Sequence, residues 1–437
     1  MKRDEDKLKE DKLNEDKRDE YERVILAGVN TGAERDFDAC MDELEKLAEA
    51  CGMVTVGVLT QNMPEKHRSL YVGSGKAEEI REAALALEAD VIVFYDSLSP
   101  TQLRNLQNEI GRPVMDRTAL ILDIFEQRAE SSEAKLQVET AKLQYLLPRL
   151  IGMHEALTRQ AGTSGSKSSR GVGEKKLELD RRKINRRIDE LKRELKEVAA
   201  GRLVKRKKRM DSRLPLVALV GYTNAGKSTI LNAMIDAYME NDEKKVLEKD
   251  MLFATLDTTI RRIETGNNQD FLLSDTVGFI HHLPHGLIKA FHSTLEEVKY
   301  ADLLLHVVDY ADDRHPEHMK DTMAALHEIG AAHIPVITVY NKADKCMEDI
   351  PFQMDDSRIY MSARERAGLS ELVAMIVDKV YSGYVEATLL IPHNEGGIVS
   401  FFMENAEVKE RAYLEAGVRL AVRCHAGDLE KYKGYAV

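Results

Sequence analysis

Two hydrophobic periods alternate along the chain, and the changes from one to the other mark its domains. Between residues 21 and 130, short apolar runs (Arg23–Val29, Val54–Leu59, Val91–Tyr95) alternate with segments of helical spacing (Phe37–Cys51, Lys76–Glu88, Thr101–Ile110). In Phe37–Cys51 the positions Cys40, Met41, Leu44, Leu47 and Ala48 recur three and four apart, so they share one helix face. Strands that alternate with helices predict a parallel sheet with crossover helices. Residues 131–210 change character. Ala134–Leu150 has helical spacing, Ala161–Gly173 is rich in Gly and Ser, and Glu174–Ala200 is a charged helix. A narrow stripe of Leu177, Leu179, Ile184, Ile188, Leu191 and Leu195 runs along it. This predicts a long helical hairpin with a flexible loop. In residues 211–384 the strand-like runs Leu214–Val220, Phe271–Leu273 and Ile334–Tyr340 each end in a polar motif. Residues 385–437 hold the apolar runs Thr388–Ile391, Ile398–Phe402 and Val418–Val422, which predict a small β-rich or α+β domain. Residues 1–20 are nearly all charged and read as a disordered or loosely helical tail. The fold class is therefore α/β. A parallel α/β domain with a helical hairpin comes first, a second α/β domain follows, and a small β-rich domain ends the chain.

Composition narrows the setting. A chain of 437 residues with 43% hydrophobic content has room for two or three domains with sizeable cores. No apolar run is long enough to span a bilayer, and the charged start carries no apolar segment of a secretory signal. The four cysteines, Cys40, Cys51, Cys346 and Cys424, form no close pair and suit a reducing cytosol without disulfide or zinc. The expectation is a monomer in the cytoplasm or peripheral at a membrane, without stable membrane insertion.

The motifs ahead of which the strands end carry the chemistry. Gly221-Tyr222-Thr223-Asn224-Ala225-Gly226-Lys227-Ser228-Thr229 follows a strand and opens a helix, the context of a phosphate-binding P-loop. Its glycines let backbone N–H groups face phosphate, and the helix adds its positive end. Lys227 reaches the β- and γ-phosphates, and the Ser228 hydroxyl ligates Mg²⁺. Further on, Asp275-Thr276-Val277-Gly278 supplies a carboxylate for a Mg²⁺-bound water and a glycine N–H for the γ-phosphate. Asn341-Lys342-Ala343-Asp344 places a carboxylate that accepts from N1–H and the 2-amino group of guanine. Adenine lacks that donor pair and would leave the carboxylate unpaired. Ser362-Ala363-Arg364 closes over the base. Phe253-Ala254-Thr255-Leu256-Asp257 lies between, with Thr255 as the switch threonine of the Mg²⁺ shell. The ordered set, each after its own strand, reads as a GTPase that binds GTP and GDP. Lys227, Thr255, Gly278 and Asn224 are its expected catalytic residues.

Phe279 follows Gly278, where many GTPases carry a glutamine that orients the attacking water. Phenylalanine cannot do so, and hydrolysis is expected to need a partner, another loop or an ion. Asn224 stands where related GTPases use asparagine to hold K⁺ beside the phosphates, and the alternative is a purely local role in shaping the loop.

Charge is unevenly spread. The formal charge is −12, yet Lys167–Arg209 holds eighteen Lys or Arg against seven Asp or Glu. A basic arm on an acidic body binds polyanion at one place. The expected RNA contacts are Arg170, Lys175, Lys176, Arg181, Arg182, Lys183, Arg186 and Arg187, with few aromatics for base stacking. Backbone and shape recognition of structured RNA follows. Tyr71–Ala77 reads first as a turn into a helix and second as a nucleotide site. His281, His282 and His285 read as surface rather than a metal site. Asp96 and Asp116 lie near strand ends, where doubly wound folds place ligands.

With these motifs in hand, the chain resembles the HflX family of ribosome-associated GTPases over roughly residues 21–384. The resemblance rests on Gly221–Ser228, Phe253–Asp257, Asp275–Phe279 and Leu283–His285. It extends to Tyr71–Lys76, Leu98–Pro100, Asp116–Thr118 and Leu143–Leu150. It implies binding to the 50S subunit and ribosomal RNA through the helical arm, and a role in splitting stalled ribosomes. Whether ATP occupies the N-terminal domain stays open. The arm loop departs from the family pattern at Gly171–Glu178 after the serine-rich Thr163–Ser169, and the switch departs at His281-His282. The alternative reading is a regulatory GTPase on a protein or membrane partner, with the arm as an interaction coiled coil. A second enzymatic activity would need a cysteine or carboxylate constellation that the sequence does not offer.

Overall fold

The computed structural model describes residues 22–160, 167–211, 214–239, 252–253, 259–280 and 296–437, apart from residues 35 and 267. The chain divides into two compact units. The first runs to Gly201 and includes Leu252 and Phe253, whose ring meets the edge of Phe125 at 4.7 Å. Its sheet consists of β1 (Arg23–Asn30), β2 (Val54–Asn62), β3 (Val91–Phe94) and β4 (Val114–Asp116), in the order β2-β1-β3-β4 and all parallel. β1 is apolar and buried on both faces, as the centre of a doubly covered parallel sheet must be. Ile25, Ala27 and Val29 join the core cluster of Ile80, Phe94 and Leu106. On α1 (Phe37–Ala50), the predicted stripe of Met41, Leu44 and Leu47 is buried. α2 (Ser74–Ala86) and α3 (Pro100–Ile110) follow. A capping box of Ser99 and Gln102, with Pro100 in the first turn, starts α3, and Gly111 in the left-handed region ends it.

The sequence pattern placed Asp116 near a strand end but delimited neither β4 nor the helix after it, α4 (Arg117–Arg128), because the strand has three residues and one residue serves both elements. Asp116 ends β4 and caps α4 by accepting from Ala119 N–H at 2.9 Å. The carboxylate is fully buried and also accepts from Leu98 N–H at 2.9 Å, Tyr145 Oη at 2.7 Å and Arg149 Nη2 at 2.8 Å. The Arg149 guanidinium lies 3.3 Å over the Tyr145 ring. These bonds saturate Asp116 and give it a structural role. They pin α5 (Ser132–Gln160) to the sheet. Asp96 accepts from Tyr71 Oη and pairs with Lys66 at 2.7 Å.

The other hairpin helix, α6, runs from Lys167 to Asp211, so residues 167–173 of the expected loop are helical. A Gly costs a helix only about 1 kcal/mol, and a helix this long absorbs Gly171 and Gly173. Ile188 and Leu191 are buried, and Arg187 grips Glu139 of α5 through two bonds of 2.7 and 2.9 Å.

The second unit contains a seven-stranded sheet in the order β10-β11-β9-β8-β5-β7-β6. Its strands are β5 (Leu216–Gly221), β6 (Thr259–Ile263), β7 (Phe271–Asp275), β8 (Leu303–Asp309), β9 (Val336–Asn341), β10 (Gln353–Asp355) and β11 (Arg358–Tyr360). Only β6 and β10 run antiparallel to their neighbours. Its helices are α7 (Lys227–Tyr238), α8 (His315–Glu328) and α9 (Leu369–Val380). The C-terminal sheet joins β12 (Tyr384–Ile391), β13 (Glu407–Leu414) and β14 (Gly417–His425) in the order β12-β14-β13, with α10 (Gly396–Asn405) and α11 (Ala426–Lys431). The run Ile398–Phe402 is thus helical. It buries Phe402 as one knob against the sheet and keeps its remaining turns half-exposed. The turn between β6 and β7 holds onto this domain: Asn268 Nδ2 donates to the Met403 and Ala406 carbonyls at 2.7 and 2.9 Å, carbonyls that the end of a helix leaves without an intrahelical donor.

Replacing Asp116 with Ala leaves the Arg149 guanidinium with an uncompensated charge. The expected cost is about 3–5 kcal/mol, read as a lowered thermal transition of the N-terminal unit with GTP affinity unchanged. An unchanged transition would show that the Asp116 cluster is not the clamp on α5.

Candidate functional site

The site begins where β5 stops. Gly221 and Gly226 hold φ of 147° and 94°. A Cβ at Gly221 would strike the Val307 carbonyl, and one at Gly226 would strike Asn341 Nδ2, so both positions require glycine. Gly226 is the N-cap of α7, whose first N–H groups are left for a ligand. Lys227 is 6% exposed and its Nζ donates to the carbonyls of Gly221 (3.1 Å) and Tyr222 (2.7 Å). Burial pushes its pKa down to about 8, partly countered by the Asp275 charge. Beneath the loop, His306 of β8 is 2% exposed. Burial, then the Lys227 charge, push its pKa down to about 4, so the ring stays neutral.

The magnesium donors meet directly. Ser228 Oγ donates to Asp275 Oδ2 at 2.7 Å. A hydroxyl and a carboxylate at this separation are hard oxygen donors that fit Mg²⁺. Thr276 turns inward, and its hydroxyl donates to the Leu219 carbonyl at 2.6 Å. Val277 is buried. At Gly278 a Cβ would come within 2.7 Å of Thr223 Cγ2 and 2.9 Å of Lys227 Nζ, which leaves room only for hydrogen beside the phosphate loop. Phe279 is 4% exposed in the cluster with Val220, Val298 and Leu304. Its N–H donates to Gly221 O at 3.1 Å, and its carbonyl accepts from Thr223 N–H at 2.7 Å. The ring anchors the segment to the core, away from any role with water.

The base side is tied to the same loop. Asn341 Nδ2 donates to Ala225 O at 2.9 Å, and Asn341 Oδ1 accepts from Ala363 N–H at 2.9 Å. One amide thus joins the phosphate loop, the Asn341–Asp344 motif and the Ser362–Arg364 motif. Lys342 sits at φ 62°, and its Nζ pairs with Asp309 Oδ2 at 2.7 Å. Ala343, Ser362 and Ala363 are buried, Asp344 is half-buried and Arg364 is exposed. Asn224, at φ 59°, and Thr229 complete the loop, with Asn224 exposed.

The structure brings together the residues predicted from Gly221 to Thr229, Asp275 to Gly278, Asn341 to Asp344 and Ser362 to Arg364. Phe253 is buried in the first unit beside Phe125. Ala254, Thr255, Leu256 and Asp257 lie outside the described residues, as do His281, His282 and His285. Among the described residues no group of three or more His, Cys, Asp or Glu could hold a metal, and no helix is long and apolar enough to cross a membrane. On the arm, Arg181, Arg182, Lys183 and Arg186 are exposed, while Arg187 is half-buried against Glu139. The side chains of Arg170, Lys175 and Lys176 lie outside the described part. Sequence reading missed His306, Asp309 and His318. The only signal for His306 was a polar residue inside the apolar run Leu303–Val308.

Family models match in three consecutive blocks: "GTP-binding GTPase N-terminal" at residues 38–126, "GTP-binding GTPase Middle Region" at 128–209 and "50S ribosome-binding GTPase" at 216–342. The chain is 42% identical to the GTPase HflX of Lacrimispora saccharolytica over 399 residues, 91% of this chain and 92% of that one. It is 40% identical to the GTPase HflX of Escherichia coli over 409 residues, 92% and 93% of the two chains. Among solved structures, a GTP-binding protein from Sulfolobus solfataricus in complex with GDP is 23% identical. It aligns with 83% of this chain and 99% of its own, at a TM-score of 0.44.

The buried ammonium makes nucleotide binding sensitive to pH. Burial brings the pKa of Lys227 down to about 8, below its ordinary value of 10.5. Bound phosphate favours the charged form, so above about pH 8 binding takes up a proton and affinity falls as pH rises. Calorimetry at pH 9 in buffers of different ionisation enthalpy should show that uptake, and none at pH 6.5. A flat affinity across this range would separate Lys227 from the phosphate.

Proposed function

The chain belongs to the HflX family of GTPases, and on that premise we propose that it is a cytoplasmic, monomeric factor of the large ribosomal subunit that splits or rescues stalled ribosomes. It binds GTP and GDP and hydrolyses GTP; the ribosomal role is the reading that goes further. The observation that carries it is the arm. Arg181, Arg182, Lys183 and Arg186 are exposed on α6 of a protein whose formal charge is −12. Nearby acids temper this surface without removing it: Glu178 pairs with Arg182 at 2.6 Å, and Asp180 with Lys183 at 3.7 Å. Exposed pairs of this kind are worth little and exchange readily for phosphate. The description of the model that matches residues 216–342 names 50S ribosome binding. A coiled-coil arm that dimerises is disfavoured, because Ile188 and Leu191 are already buried within the chain.

At the phosphates, Ser228 and Asp275 would hold Mg²⁺, which supplies charge neutralisation for phosphoryl transfer. Thr255 and the Gly278 N–H complete the expected catalytic set with Lys227. Because the Phe279 ring is fixed in the core, an exposed Asn224 is the loop residue best placed to hold K⁺ as a further counter-charge.

Changing Arg181, Arg182, Lys183 and Arg186 to Glu should weaken co-sedimentation with 50S subunits at least tenfold while GTP affinity stays within twofold. Wild-type binding should fall steeply with salt. Binding that ignores both the charges and the salt would sink the ribosomal reading.

A second measurement concerns the ion. K⁺ should raise GTP turnover over Na⁺ at equal ionic strength, and Asn224→Ala should erase the difference with little change in affinity. Equal rates in the two salts, free and with ribosomes, would dismiss K⁺.

A further inference from the structure

The phosphate loop has an aromatic side chain where it needs none for phosphate. Tyr222 is 8% exposed, and its main chain serves the site at two points. Its carbonyl accepts from Lys227 Nζ at 2.7 Å, and it forms a parallel bridge with Phe279. With glycine on one side and the left-handed Asn224 two residues on, this stretch has little stiffness of its own. The ring is the lever by which the rest of the fold can hold the carbonyl in place.

Stacked on the ring is His318, in the first turns of α8. The two rings stack at 3.8 Å between centroids with an interplanar angle of 11°, and His318 is 8% exposed. Neutral aromatic pairs favour offset or edge contacts at about 4.5–7 Å. A close parallel stack suits a cation over a ring face. The counter-charge is present: Asp312 Oδ2 lies 3.9 Å from His318 Nδ1. Asp312 is itself fixed, since its Oδ1 accepts from Arg314 N–H at 2.9 Å and lies 3.4 Å from Arg314 Nε. Burial works against the Asp312 charge. The Arg314 N–H, His318 and the Arg314 guanidinium outweigh it and hold its carboxyl below the ordinary value.

We propose that His318 is a positioning residue of the GTPase site, which stacks as a cation on Tyr222 and so fixes the carbonyl that orients Lys227 toward the β- and γ-phosphates. The inference rests on the GTPase site alone and is independent of the ribosomal reading. α8 thereby becomes a support of the phosphate loop, with Asp312 as the counter-charge to the imidazolium.

A double-mutant cycle on the full chain tests this, with fluorescent GDP and a non-hydrolysable GTP analogue as probes. His318→Ala and Tyr222→Leu should each weaken affinity about tenfold, and the double variant should be no more than about twofold worse than either single one. Should His318→Ala lower the thermal transition of the nucleotide-free protein, His318→Gln, which keeps the volume and a polar partner for Asp312, decides in its place. His318→Arg can lay a planar cation on the same ring and should recover affinity to within about threefold of wild type. The proposal is overturned if the double variant loses the product of the single losses, if affinity does not change, or if His318→Arg is no better than His318→Gln.

Discussion

Lys227 is a cation enclosed by protein, and the GTPase unit is arranged around that fact. Burying an ammonium is costly unless it is paired. Here two main-chain carbonyls, of Gly221 and Tyr222, are its direct partners, and Asp275 adds its charge. Carbonyls are dipoles and compensate only in part, so the pKa drops to about 8. Phosphate completes what the protein leaves incomplete. Burial first, and the same charge second, keep His306 neutral below the loop.

The surrounding loops are positioned by few contacts, each serving several segments. Asn341 fixes the phosphate loop and the Ser362–Arg364 segment with one side chain. Phe279 does the corresponding work on the other side, where its backbone bridges Gly221 and Thr223 while its ring enters the core. A residue that anchors in this way cannot also orient water. The geometry makes a rigid connection between the Asp275–Gly278 motif and the phosphate loop.

In the first unit Asp116 does a comparable job with no ligand. It joins β4, α4 and α5 through four hydrogen bonds. The arm that α5 and α6 form is thus fixed at its base, while its exposed basic residues stay available. Arg187 illustrates the division of labour. Counted by charge it belongs with its neighbours, but its two bonds to Glu139 assign it to holding the hairpin together.

The alternation of strands and helices, the domain order and the nucleotide motifs are legible along the chain. These are local properties: a period of apolar residues, or a glycine required where backbone meets phosphate. Gly221, Gly226, Lys227 and Asn341 were legible for that reason. Short or shared elements were not. β4 has three residues, the run Ile398–Phe402 does not distinguish helix from strand, and the Gly/Ser segment before Glu174 continues a helix that its neighbours propagate. Only packing settles which polar side chains meet from far apart in the chain. Asp309 reaches Lys342, His318 reaches Tyr222, and Tyr145 and Arg149 reach Asp116 across 33, 96, 29 and 33 residues of chain. No spacing rule encodes such pairs, because their partners become neighbours only when sheet order and helix packing bring them together.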